Sequence, residues 1–213
     1  MYGRSAAEAH QRLLESNYVR IDDTGLRVLD PKAPNGVVKG HVWCFVGGGV
    51  VSFRYAPSWS ADHPAKMLGN FNGMLQGDGY AGYAAMEREN EDKAMEPVAP
   101  AHRRMGCGMH IRRYFEKAAV EGGNATAAIA LGYFRSIYRL ESRYKEQELT
   151  HEQRQAARAE LSLPIVNQLF EWIHSLRDGL VPKTKLYTAV LYALNHEQEW
   201  RRCFADGRFE IDN

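Results

Sequence analysis

The sequence predicts an α/β fold of the α+β kind, a mixed sheet with helices packed on it followed by a helical region. Two observations carry this. Up to about residue 80 the apolar residues recur with strand-like period between two short helical segments, and beyond Cys107 they recur at three- and four-residue steps. A third is size: 213 residues with 45% hydrophobic content are enough to bury a proper core in one large or two small domains. The division falls at residues 1–106 for the α/β part and 107–213 for the helical part.

The first helix is predicted from the stripe Ala6, Leu13 and Leu14, and Ser16-Asn17 closes it. In "YVRIDDTGLRVLD" the apolar residues flank Asp22-Asp23-Thr24-Gly25, which reads as two strands joined by a tight turn. After the loop "PKAPNG", the segment "HVWCFVGGGVVSFRYA" is rich in β-branched and aromatic residues and broken by three glycines, the pattern of a further hairpin. "PSWSADHPAKMLGNF" returns to helix, with Ser60 able to cap, Pro64 suited to a first turn, and Met67, Leu68 and Phe71 inward. "GMLQGD" is a short buried strand ending at Asp78, and the charged, proline-bounded stretch 87–100 is a loop.

In the helical part, Ala130, Phe134, Ile137 and Leu140 form one stripe, and Thr150 with Gln153 makes a capping box. Pro164 opens a helix with the stripe Ile165, Leu169, Trp172, Ile173 and Leu176, which Gly179 ends. A last helix runs from about Lys183 to about Cys203. The aromatics Phe134, Trp172, Tyr187 and Trp200 are read as core.

Composition excludes several classes. The 27 basic and 26 acidic residues give a formal charge of +1, so attraction to nucleic acid or an anionic surface must be local. No apolar run approaches the roughly 20 residues that cross a bilayer, and the charged N-terminus lacks a secretory core, so a cytoplasmic location is expected. Cys44, Cys107 and Cys203, odd in number and widely spaced, do not make a disulfide framework. "VGGG" at 46–49 has no following helix and no lysine to reach a phosphate, and no nucleophile elbow, H-E-x-x-H motif or dinucleotide fingerprint occurs.

Three constellations bear chemistry. Asp22 and Asp78 each fall at the end of a predicted strand with glycine close behind. Neighbouring strands would bring the two carboxylates together as ligands for Mg²⁺ or Mn²⁺, and turn residues of the same type need no metal. Cys107 and His110, in a C-x₂-H arrangement, are half of a zinc site without a second close pair, so a buried thiol beside a hydrogen-bonded histidine is the expectation. Arg103, Arg104, Arg112, Arg113 and Lys117 against Glu116 form a basic cluster that suits phosphates or is a solvated face.

The segments "RIDDTGLRVLD", "VWCFVGGGVVSFRYAPSWSADHPAKMLGNFNGMLQGDGYAGY", "GCGMHIRRYFEKA" and "FADGRFEIDN" resemble, in this order, the central catalytic region of the bacterial insertion-sequence 66 transposases. The resemblance runs from about Leu13 to Asn213. It implies a ribonuclease-H-like fold with a helical insertion, and cleavage and joining of DNA by an Asp, Asp, Glu triad holding two Mg²⁺ ions. The first Asp of the family falls on Asp22 and the second on Asp78. The family's C-x₂-H signature falls on Cys107 and His110, with "CGMH" where the family shows tryptophan after the cysteine. Arg112 and Arg113 become candidates for contacts to DNA backbone phosphates. The family's glutamate follows a pair of asparagines after "EID", a motif inside which this sequence stops, and its N-terminal DNA-binding region has no counterpart here. The expectation is therefore a core truncated at both ends and inactive alone, with DNA (transposon ends and target) as partner and homo-oligomers possible. The rivals are a non-catalytic remnant with weak DNA binding, and a stand-alone ribonuclease-H-like nuclease using two acids.

Overall fold

The computed structural model describes residues 5–83 and 104–213. They form two compact units, one reaching to Met105 and including Asn213, the other Gly106–Asp212. Arg103 and the predicted loop 87–100 lie outside the described residues.

The first unit is built on a five-stranded mixed sheet. Helix α1 (Ala6–Leu14) starts on a capping box in which Ser5 accepts from the Glu8 backbone and Glu8 accepts from the Ser5 backbone. Strands β1 (Tyr18–Leu29), β2 (Val37–Gly47) and β3 (Val50–Ala56) form an antiparallel meander. Helix α2 (Asp62–Leu68) then leads to β4 (Met74–Gln76), which joins the other edge of β1 in parallel, and β5 (Arg104–Met105) pairs parallel to β4. The spatial order is β3-β2-β1-β4-β5, so β1 is central. On one face Leu13, Val19, Ile21, Trp43, Phe45, Leu68 and Tyr83 make the core. His10 ties α1 and the α2 end to the sheet by bonding Ser52 Oγ at 3.0 Å and the Met67 carbonyl at 2.8 Å.

The glycine hairpin forms as expected: Gly47 pairs with Val50, and Gly48 (φ 55°) and Gly49 (φ 71°) take the left-handed conformations that the turn requires. The predicted turn at Asp22–Gly25 does not form. β1 runs through it as one strand, paired without a break from Arg20 opposite Val46 to Leu29 opposite Val37. Ten rungs on β2 outweigh the local turn preference of Asp-Asp-Thr-Gly. The reversal occurs in 30–36, where the Asp30 amide donates to the Gly36 carbonyl at 2.9 Å. At α2 the N-cap position is Ala61, not Ser60, whose hydroxyl accepts only a long bond of 3.4 Å from the Asp62 amide.

The second unit is helical: α3 (Gly108–Val120), α4 (Ala125–Glu146), α5 (His151–Ala157), α6 (Leu163–Leu176), α7 (Lys185–Asn195) and α8 (Glu197–Arg201). The Thr150–Gln153 capping box forms at α5. A π-turn over Arg158–Ser162 connects α5 to α6, so the helix at Pro164 continues from an earlier one instead of starting there. The expected helix from Lys183 to Cys203 is divided at His196, with Thr184 capping α7. Phe115, Phe134, Phe170 and Trp200 are fully buried, whereas Trp172 and Tyr187 are half-buried.

Candidate metal centre and the surrounding sites

Because β1 is continuous, Asp22 stands within a strand and not at its end. Its placement follows from two registers. Successive side chains on a strand face opposite sides, so Val19 and Ile21 enter the core and Asp22 emerges on the other face, exposed. On the parallel edge Tyr18, Val19 and Arg20 sit opposite Met74, Leu75 and Gln76. Two residues beyond the last rung on each chain come Asp22 and Asp78. Their carboxylate oxygens lie within 4.8 Å of one another.

The neighbouring Asp23 is used otherwise. It accepts from His41 Nδ1 at 2.6 Å and from Trp59 Nε1 at 3.1 Å, and its side chain is only 11% exposed. The tandem aspartates therefore divide: Asp23 ties β1 to β2 and the segment before α2, while Asp22 faces Asp78.

The segment around Asp78 is shaped by rings. Asp78 Oδ1 accepts from the Tyr80 amide at 3.0 Å, which closes the turn and orients the carboxylate. Tyr80 stacks on Trp59 at 4.8 Å and meets Tyr83 edge-on at 5.2 Å. A Cβ on Gly77 would meet the Tyr83 ring at 2.7 Å and Ile21 at 3.2 Å, and one on Gly82 would meet the Tyr80 ring at 2.3 Å. The glycines of "GDGYAGY" thus make room for the tyrosines. The Tyr83 hydroxyl is buried with no hydrogen-bond partner among the described residues. Burial, then the Asp78, Asp23 and Asp22 charges, pushes its phenol far above the usual range. Burial and then Asp22 also raise the Cys44 thiol, the cross-strand partner of Asp22. Sequence reasoning missed these rings, although their spacing beside Asp78 was visible. It also missed Asn213, whose amide donates to the Ile21 carbonyl at 2.6 Å, one residue from Asp22.

Two carboxylates that close suit a hard divalent cation, which prefers oxygen ligands and keeps water on its remaining positions. The exposure of Asp22 leaves a route for that water.

In the helical unit, Cys107 occupies the N-cap position of α3 and is buried, with its sulfur 3.9 Å from Asp212 Oδ1. Asp212 also accepts from the Met109 amide at 2.6 Å and the Tyr138 hydroxyl at 2.8 Å, so a carboxylate rather than Cys107 caps the helix. Burial raises the Asp212 carboxyl against the lowering effect of those bonds. His110 Nδ1 is buried without a hydrogen-bond partner among the described residues, so the hydrogen bond expected of this histidine is not made at that atom. Arg112 pairs with Glu116 at 3.5 Å and lines a groove between α3 and α4; Arg113 is exposed on α3 and is not among the groove residues. Glu210 bonds Arg154 and Lys145, each at 3.2 Å, which gives it a structural partner set.

The family model described as Transposase IS66 family matches residues 4–213. The chain belongs to that family. Among curated proteins, this IS66-family chain is 29% identical to uncharacterized protein y4qI of Sinorhizobium fredii over 95% of its own length, and 27% identical to y4jD of the same organism over 90%. It spans 38% of the length of each of those relatives. No solved structure matches it. No helix among the described residues is long and apolar enough to cross a membrane.

Proposed function

We propose that this IS66-family chain carries the metal-binding aspartates of a DDE-type transposase core, with Asp22 and Asp78 as ligands for Mg²⁺ or Mn²⁺ in DNA cleavage and strand transfer. The observation that carries the reading is the approach of the two carboxylates to within 4.8 Å across the β1–β4 register. Bound divalent ions would supply charge neutralisation at the scissile phosphate and activation of a water. The chain's own contribution is position: Asp22 is held by the β1–β2 ladder, and Asp78 by the bond from the Tyr80 amide. The mixed sheet with the first acid on its central strand supports the ribonuclease-H-like assignment, with residues 107–213 as the helical insertion. The bond from Asn213 to Ile21 supports it further, because the family's glutamate is expected just after this motif. The proposed partners are transposon-end and target DNA, with Arg112 and Arg113 as phosphate contacts.

The test is Mn²⁺ binding by calorimetry or electron paramagnetic resonance. The chain binds Mn²⁺, and Asp22→Asn and Asp78→Asn each weaken binding by at least tenfold, at about 1.4 kcal/mol per factor of ten. Equal Mn²⁺ affinity in all three proteins would sink the reading.

A further inference from the structure

We infer that the outer face of α4 is a docking surface for the phosphate backbone of duplex DNA, read by Arg135, Arg139 and Arg143 together with Arg112 across the groove. This rests on the transposase reading and names a DNA contact that the aspartate pair does not supply. The three arginines are four residues apart, so they share one face of the helix. At 1.5 Å per residue their attachment points are about 6 Å apart, close to the spacing of successive phosphates along one strand. All three are exposed, and none makes an ion pair with a described residue. Among the groove's charged residues four arginines stand against Glu116 and Glu146, and Glu116 is engaged with Arg112. That local excess of two positive charges sits on a chain whose total is only +1.

Apolar contacts explain the other side of α4, where Ala130, Phe134 and Ile137 are fully buried. Nothing in that packing calls for arginine at 135, 139 and 143. Guanidinium groups suit phosphate oxygens because they donate in a fixed fork, and a row of them would fix position along the backbone without reading sequence.

The experiment measures binding of the whole chain to a fluorescent duplex of generic sequence across a potassium chloride titration. Replacing Arg135, Arg139 and Arg143 by Gln lowers the log–log salt slope by about 3 and weakens binding roughly a hundredfold at low salt. The triple Lys variant, which keeps the charges, retains most of the slope. Unchanged helical circular dichroism and melting show that the Gln variant is folded, and its Mn²⁺ affinity stays that of the parent. An unchanged slope in the Gln variant overturns the inference, as does absence of binding by the parent chain or tighter binding to duplex RNA. Failure of the metal reading looks different: Asp22→Asn then leaves Mn²⁺ affinity intact while the salt slope still depends on the three arginines.

Discussion

At the scale of single residues, Asp78 is presented by its neighbours. Gly77 has to lack a side chain because the Tyr83 ring and Ile21 occupy the space that a Cβ would take. Gly77→Ala is expected to cost about 1–3 kcal/mol by overpacking, visible as a lower urea midpoint, and to weaken Mn²⁺ binding because the displaced ring sits beside Asp78. An unchanged midpoint would show that the ring moves freely. Glu210 makes a pH prediction. Burial pushes its carboxyl up, but the Arg154 and Lys145 charges and hydrogen bonds overcome this and leave it below its ordinary value of 4.5. The folded state then binds fewer protons than the unfolded one in that range, so the stabilisation is present above pH 4.5 and lost as pH falls through the folded value. Urea melts should show the parent more stable than Glu210→Gln at neutral pH, with the gap closing below about pH 4.5. A gap that is constant with pH would assign the effect to packing.

At the scale of elements, the π-turn that links α5 to α6 carries Arg158, which is wholly buried. It forks onto Glu141 of α4 with two bonds of 2.7 Å, and its Nη1 donates to the carbonyls of Cys203, Asp206 and Phe209. Arg154, one turn earlier, donates to the Phe209 carbonyl at 2.6 Å. The two arginines thereby hold the irregular segment after α8 against the helices. Arg158→Met leaves Glu141 as an unpaired buried charge and removes one donor from each of three carbonyls, of which Phe209 keeps Arg154 and Asp206 keeps the Phe209 amide. A loss of about 3–5 kcal/mol is expected in chemical denaturation, and Glu141→Gln in the same background should recover part of it. No recovery would mean that the carbonyl bonds, and not the charge, dominate. The capping box at Thr150 and the hairpin at Gly48-Gly49 are elements of the opposite kind, formed by residues adjacent in the chain and readable there.

At the scale of the whole molecule, the helical unit has its own aromatic core, with Trp200 within 5.4 Å of Phe134, 6.0 Å of Phe170 and 5.3 Å of Phe204. We expect residues 106–212 expressed alone to keep their helical circular dichroism and to melt cooperatively. A fragment without cooperative melting would reject the division. The sequence by itself determined the local matters: the mixed sheet and helical halves, the glycine hairpin, the capping box, and Asp22 and Asp78 as residues to watch. Those signals depend on neighbours a few positions apart, where period and turn chemistry act. Tertiary structure alone decided that "DDTG" is strand and not turn, that Asp23 turns to His41 while Asp22 turns to Asp78, and that the glycines around Asp78 yield to Tyr80 and Tyr83. Each of those outcomes depends on pairing between residues far apart in sequence, and a parallel register between β1 and β4 leaves no mark in either segment alone.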